Sequence, residues 1–422
     1  MQKTPKSLRL HIGLFGRTNV GKSSFLNYVV GQDVAITSHI PGTTTDVVEK
    51  PMELLPIGPV IFLDTAGLDD ASELGALRVG RTKKVFDRCD VLVLLTEAEA
   101  WGDYEEDVFA EARKRRIPVI IVVNKADIRT PSAEFMESLR RHSSRVLSCS
   151  CLDRPGRDPF VHSFKAQLIE ICPEEFLHPP ALVGDLLAQG KLCVFIVPID
   201  LEAPKGRLIL PQVQAIRDVL DHGRGVVVVK ESEYASCLKN LKTPPSLVVC
   251  DSQVVDRMVE ATPPEIPCTT FSILFSRSKG DLDEAVKGAR TIEQLRPGDK
   301  VLIAEACSHH AIQDDIGRVK IPRWLSQFKG FDVPVEVCAG KDFPENLKGF
   351  RLVIHCGACM FTRREMLARI ERAREQGVAL TNYGVAIAYL QGVLPRVLEP
   401  FPSAALAYQE TAGASQQHRL PA

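Results

Sequence analysis

The sequence predicts an α/β fold from end to end, and two observations carry the prediction. First, short runs made almost wholly of Val, Ile and Leu recur along the chain, each followed by a stretch of helical periodicity. VLVLL (91–95) and VIIVV (119–123) lie in the first part, LCVFIVP (192–198), GVVVV (225–229) and SLVVCD (246–251) in the middle. FSILFS (271–276), KVLIAEA (300–306), VPVEVC (333–338), FRLVIH (350–355) and VALTNY (378–383) follow. Strands that are apolar on both faces and alternate with helices belong to parallel sheets covered on both sides. Second, two proline clusters, CPEEFLHPP (172–180) and ATPPEIP (261–267), interrupt the pattern. Proline stops helices and central strands, so these read as linkers. They divide the chain into domains 1–175, 176–264 and 265–410, with a small, polar and flexible tail at 411–422.

Composition narrows the function classes. The 422 residues are 45 % apolar and 25 % charged, which suits a soluble globular protein. No apolar run approaches the ~20 residues needed to cross a bilayer, so no membrane role is expected. Fifty-two basic and 53 acidic residues leave a net charge of −1, which gives no support for a nucleic-acid partner. Lys3, Lys6 and Arg9 are not followed by a secretory apolar segment. The expected location is therefore the cytoplasm, where thiols stay reduced. The twelve cysteines are then core thiols or metal ligands rather than a disulfide framework.

The first element with evident chemistry is LHIGLFGRTNVGKSSFLNYV (10–29). GRTNVGKS fits the phosphate-binding pattern G-x-x-x-x-G-K-[ST] between an apolar strand and an amphipathic helix. Gly16 and Gly21 let the backbone curl its N–H groups toward phosphate oxygens. Lys22 supplies a positive charge, Ser23 offers Mg²⁺ a hydroxyl, and Ser24 continues the helix N-terminus. PGTTTD (41–46) follows, with Thr44 the candidate to close on Mg²⁺. DTAGLDD (64–70) ends the strand VIFL; Asp64 would hold the Mg²⁺ shell and the Gly67 N–H would meet a γ-phosphate. NKAD (124–127) ends the strand PVIIVV. The Asp127 carboxylate can accept from the N1–H and N2–H₂ of guanine, a donor pair adenine lacks, so it selects GTP over ATP. Asn124 and Lys125 would brace the base and the loop.

These four motifs together resemble the translation-factor-like GTPases, in the branch that includes tRNA-modification and ribosome-assembly enzymes. The prediction becomes an N-terminal P-loop GTPase domain followed by two smaller α/β domains with mainly parallel sheets. The resemblance implies that Asn19 helps bind K⁺. Leu68 occupies the position after DTAG where Ras-like enzymes carry a water-orienting glutamine, which leaves Asp69, Asp70 and Glu73 as weak substitutes. The base-binding loop is expected within VLSCSC (146–151), at Ser148 and Cys149.

Two further clusters stand at predicted strand ends: EACSHHA, with Cys307, His309 and His310, and IHCGACM, with His355, Cys356 and Cys359. A CxxC turn can aim both thiolates at one point, and the carboxyl ends of parallel strands form the edge where sites gather. Three cysteines with histidines suit structural Zn²⁺ or a 4Fe–4S cluster with one weakly held iron. Cys338 is a reserve ligand. Cys89, Cys172, Cys193, Cys237, Cys250 and Cys268 read as ordinary thiols, as do Cys149 and Cys151 despite their CxC spacing.

With the GTPase motifs in front, C-x-H … H-C-x-x-C resembles the HydF-type maturation GTPases of iron–iron hydrogenase. That resemblance implies a 4Fe–4S cluster on Cys307, Cys356 and Cys359, with His309 or His355 as further ligands. It implies a scaffold or carrier for the di-iron precursor, with radical-SAM maturases and apo-hydrogenase as partners. It also implies a homodimer or higher oligomer formed through the middle domain. The alternative is a tRNA-modification or ribosome-assembly GTPase with a structural zinc site.

Overall fold

The structure is a computed structural model that describes residues 5–31, 48–55, 57–64, 84–177, 180–198, 208–306, 315–340 and 342–417. The chain forms two compact units, residues 1–179 and 180–422.

The first unit is built on a six-stranded sheet. Its strands are β1 (Leu10–Phe15), β2 (Val48–Leu54), β3 (Gly58–Asp64), β4 (Val91–Glu97), β5 (Val119–Asn124) and β6 (Val146–Ser148), in the order β2-β3-β1-β4-β5-β6. All neighbours are parallel except β2, which runs antiparallel to β3 at the edge. Every residue of β1 and β5 is buried. This is why these strands read as unbroken apolar runs: helices cover both faces. The sheet carries one apolar cluster on each side, one around Phe25, Phe62 and Phe164 and the other around Phe15, Phe86 and Leu94. The parallel strands point their carboxyl ends at the loops bearing GRTNVGKS and NKAD.

The second unit holds two four-stranded parallel sheets. The middle sheet comprises β7 (Leu192–Ile196), β8 (Gly225–Val229), β9 (Leu247–Cys250) and β10 (Cys268–Thr270), in the order β10-β9-β7-β8. The last comprises β11 (Val301–Glu305), β12 (Val335–Ala339), β13 (Leu352–His355) and β14 (Ala379–Asn382), in the order β12-β11-β13-β14.

Two expectations need correction here. The second proline cluster does not separate domains. It is a crossover, because β10 follows it and pairs with β9 in the middle sheet, Cys268 beside Val248 and Thr270 beside Cys250. The boundary expected at 264 therefore falls inside that sheet. FSILFS is likewise no strand but the start of a helix, Phe271–Lys279. The Thr270 hydroxyl accepts from the Ile273 N–H at 3.2 Å and caps it. Phe271, Ile273, Leu274 and Phe275 are all buried, so the first turn and a half reads as a short apolar run with no helical period.

That helix joins the two sheets. Phe271 meets Phe195 of β7 edge to face at 5.1 Å, and the Asn382 side chain at the end of β14 donates to the Ser272 carbonyl at 2.9 Å. One continuous apolar core runs from Val194 and Val248 of the middle sheet to Ile303 and Ile354 of the last. Helix Leu282–Ala289 lies so close on β14 that a Cβ at Gly288 would meet the Leu380 carbonyl oxygen at 1.9 Å. The final helix, Pro402–Gln417, continues past the point where the tail was expected to begin.

Candidate functional site

The phosphate loop follows β1 directly. Gly16, Asn19 and Gly21 take φ values of 151°, 65° and 96°, conformations that curl the backbone and that glycine and asparagine tolerate best. Helix Lys22–Val30 begins at once. Lys22 is 5 % exposed, and its ammonium donates to the carbonyls of Gly16 and, at 3.1 Å, Arg17. Ser23 and Ser24 are exposed on the first turn.

Asn124 ends β5, buried, and its Nδ2 donates to the Val20 carbonyl at 2.9 Å. It thus ties the NKAD loop to the phosphate loop. Lys125 has φ 59° and pairs with Glu97 at 2.6 Å, while Asp127 is exposed. The segment after β6 closes this edge, where the Ala126 N–H donates to the Cys149 carbonyl at 3.1 Å. Asp64 is buried at the end of β3 and accepts from Lys50 at 3.2 Å. Thr44, Gly67, Leu68, Asp69, Asp70 and Glu73 lie outside the described residues.

One support of this loop had no sequence signal. Arg17 makes a two-pronged pair with Glu105 at 2.8 and 2.6 Å. Glu105 is fully buried in helix Asp103–Lys114 and also accepts from the Gly102 N–H at 3.0 Å. Seen alone, an acid in DYEED reads as a solvated helix start.

The second site lies at the carboxyl edge of the last sheet. Register aligns Cys338 of β12, Ala304 of β11, His355 of β13 and Asn382 of β14 in one row. The CGAC loop follows β13, with Ala358 at φ 53°. Thr362 then caps helix Arg363–Glu375 in a reciprocal box with Glu365. The Ala306 N–H donates to Cys356 Sγ at 3.0 Å, so the residue just before Cys307 meets the sulfur of Cys356.

Two buried cations hold the loop. The Lys279 ammonium donates to the carbonyls of Ala358, Cys359 and Phe361 at 3.5, 3.2 and 2.9 Å. Burial pushes its pKa down to about 8, against the pull of Cys359 and Glu365. Arg369 stacks between Phe343 and Phe361, 4.6 and 4.3 Å from their ring centres. Burial lowers its pKa to about 10, while Cys338 and Cys356 favour its charge. Burial raises the Cys359 thiol, and Lys279 works against that rise.

His355 differs from expectation. It is fully buried, and both ring nitrogens are engaged. Nδ1–H donates to the Cys356 carbonyl at 2.9 Å, and Nε2 accepts from Arg369 at 2.9 Å. Burial and the Arg369 charge push its pKa down to about 3, so its ring is neutral and braces the loop through both nitrogens. Cys338 is partly buried and its thiol is pushed up to about 11, chiefly by burial. Cys307, His309 and His310 lie outside the described residues. Among the described residues, no three His, Cys, Asp or Glu side chains gather as a metal-binding group. The donors that are present fit an iron–sulfur group. Two soft thiols share one turn, a backbone N–H points at one sulfur, and buried cations stand nearby to offset thiolate charge.

Comparison with known proteins decides between the alternatives. Residues 182–280 match the hydrogen maturase F dimerization domain and residues 283–400 its tetramerization domain. Residues 11–125 match the 50S ribosome-binding GTPase family. The chain belongs to the hydrogen maturase F family. Its GTPase domain is similar to the tRNA modification GTPase MnmE of Synechococcus sp. (strain JA-3-3Ab), 45 % identical over 121 residues, 28 % of this chain and 25 % of that protein. It is also similar to the GTPase Der of Wolinella succinogenes, 31 % identical over 151 residues, 35 % of this chain and 32 % of that one. The chain thus spans about a quarter to a third of these curated relatives. Among solved structures, Aquifex aeolicus Era aligns with a TM-score of 0.32 at 20 % identity, over 52 % of this chain and 93 % of its own. The matched models are a dimerization and a tetramerization domain behind a GTPase domain, which supports oligomerization. No described helix is long and apolar enough to cross a membrane.

Proposed function

We propose that this protein hydrolyses GTP to switch a metallocluster scaffold that serves iron–iron hydrogenase maturation. The observation that carries the reading is the presence of both site edges in one chain. A phosphate loop tied to a guanine-reading loop precedes a CxxC loop whose Cys356 sulfur meets the peptide leading to Cys307.

At the first edge, the N–H groups of the loop 16–22 would hold the phosphates and the Lys22 ammonium would exchange its carbonyl acceptors for phosphate oxygens. Ser23 and Thr44 would hold Mg²⁺, which offsets phosphate charge when bound. Asp64 would hydrogen-bond the Mg²⁺ waters, Gly67 would meet the γ-phosphate, and Asp127 would read guanine. Asn19 is the residue placed to favour K⁺. Water attacks in line with the departing diphosphate. Loss of the γ-phosphate then releases the loops that held it and changes which partner binds.

At the second edge, Cys307, Cys356 and Cys359 would hold a 4Fe–4S cluster, with His309 or His355 as the histidine candidates. Such a cluster supplies one iron whose outer position exchanges, and the di-iron precursor is the cargo received there. Lys279 and Arg369 offset the thiolate charge, and His355 keeps Arg369 in place. Radical-SAM maturases would supply the cargo and apo-hydrogenase would receive it, in the cytoplasm.

The test is anaerobic reconstitution of the full chain. Wild type is expected to bind iron and sulfide and to support activation of apo-hydrogenase. Replacing both Cys356 and Cys359 by Ser should abolish both. Wild-type protein without iron, or a double variant with iron content and hydrogenase activation intact, overturns the reading.

A further inference from the structure

The two cysteines of VLSCSC, which sequence reasoning set aside, converge on the side chain that joins the two nucleotide loops. Cys149 Sγ donates to Asn124 Oδ1 at 3.6 Å and Cys151 Sγ donates to the same oxygen at 3.2 Å. On its other side, Asn124 holds Val20 of the phosphate loop through Nδ2. The backbone of Cys149 is fixed as well: its N–H donates to the Val123 carbonyl at 2.9 Å and its carbonyl accepts from Ala126. Both residues lie just past the end of β6, where the chain brings both thiols to one acceptor. Cys149 is buried and Cys151 is partly exposed.

We propose that Cys149 and Cys151 form a dithiol–disulfide pair that sets guanine-nucleotide affinity through Asn124. This rests on the reading of the NKAD edge as the guanine site. The chemistry of the two thiols agrees with it. When Cys151 ionises, the Cys149 S–H can turn from Asn124 Oδ1 to the Cys151 thiolate, which lowers the pKa of Cys151, whereas that bond and burial raise Cys149. The more exposed thiol is thus the better nucleophile and the buried one the resolving partner.

The oxidant class is a small-molecule disulfide. The Cys151 thiolate attacks one of its sulfurs, forming a mixed disulfide and releasing one thiolate. Cys149 loses its proton to solvent and attacks Cys151 Sγ, which releases the second thiolate. The protein loses two electrons and two protons, and the small disulfide becomes two thiols. Both sulfurs then cease to be donors, and Asn124 Oδ1 loses its two hydrogen bonds. The amide that anchors Val20 is free to turn, and the phosphate loop loosens against the base loop.

The experiment uses the full chain, treated with oxidised glutathione and then with dithiothreitol. Trypsin releases residues 146–157 as one peptide that contains both cysteines and no others. Oxidation should remove two hydrogens from that peptide and block its alkylation. Affinity for fluorescent GDP should fall about tenfold and return on reduction. Cys151→Ser keeps a hydroxyl donor for Asn124 and should show the same affinity before and after oxidant. Cys149→Ser serves as the second variant, and should keep a stable glutathione adduct on Cys151. Cys237→Ser, which removes a partly exposed thiol outside both edges, should respond like wild type, which separates this effect from oxidation elsewhere. A disulfide with unchanged GDP affinity, a lasting glutathione adduct in wild type, or an equal response in Cys151→Ser overturns the proposal. Failure of the reduced wild type to bind GDP at all would instead overturn the nucleotide-site reading.

Discussion

Gly21→Ala tests how the phosphate loop is tied to the base loop. Gly21 holds φ 96° and ψ 30°, a region that costs an L-residue roughly 1–2 kcal/mol. An added Cβ would also stand 2.5 Å from Asn124 Nδ2. The Asn124 side chain is buried between the loops and would have to move. It would give up its 2.9 Å bond to the Val20 carbonyl, a net loss of about 1 kcal/mol. The expected total is about 2–3 kcal/mol of stability in the first unit, with a weakened guanine-nucleotide site. Urea unfolding and fluorescent GDP titration read the two effects. The Asn124→Ala background gives a sharper test. There the contact is gone, so Gly21→Ala should cost only the backbone share. The two substitutions should therefore couple by about 1 kcal/mol. Equal costs in the two backgrounds, or wild-type GDP affinity in Gly21→Ala, would refute the reasoning.

Three further outcomes are expected. Glu49 on β2 pairs with Lys6 and Arg88; burial opposes its charge, but the two cations outweigh burial and hold its pKa down at about 2. A carboxyl with a depressed folded value stabilises the protein above its ordinary 4.5 and loses that contribution as pH falls toward about 2, roughly 3 kcal/mol over the window. Urea unfolding at pH 5 and pH 3 should show a drop in wild type that is smaller in Glu49→Gln; equal drops would count against it. Glu105→Ala removes the acceptor for Arg17 and the Gly102 N–H and should cost about 1–3 kcal/mol, with faster amide exchange in the phosphate loop as the added signature. Asp127→Asn should weaken GTP binding at least ~100-fold without improving ATP binding, since it deletes the acceptor for two guanine donors; competition titration checks both.

What the sequence made legible was whatever its chemistry confines to a short window. GRTNVGKS and NKAD are local devices, and their strands are buried on both faces, so pattern and structure agree. FSILFS misled because the helix Phe271–Lys279 is enclosed between two sheets. A buried apolar run shows no period, and only Thr270 and Gly280 marked its ends. Cys268–Thr270 was hidden behind a proline crossover, since pairing in a parallel sheet is a long-range choice. Glu105, Lys279 and Arg369 were not legible as parts of a site. Each sits in a sequence where a charged residue ordinarily faces water, and only the fold brings it against the loop it holds. His355 was legible as a member of this strand edge, but its contact with Arg369 was not. Whether a buried imidazole faces a metal or an arginine depends on Arg369, one helix away.

The two edges share a physical solution, each within its own unit. Lys22 is 5 % exposed and holds carbonyls of the loop that follows β1; Lys279 is 7 % exposed and holds carbonyls of the loop that follows β13. A loop after a parallel strand leaves carbonyls without ladder partners, and a buried ammonium needs acceptors, so each satisfies the other. The consequence differs with the guest. A phosphate presents stronger acceptors than a carbonyl and can draw Lys22 away, so that loop answers to nucleotide. The carbonyls that Lys279 holds and the Cys359 thiol beside it belong to the CGAC loop and its continuation, so what Lys279 holds stays with the chain. The first edge is therefore shaped to respond to a ligand that comes and goes, and the second to keep its loop in one geometry.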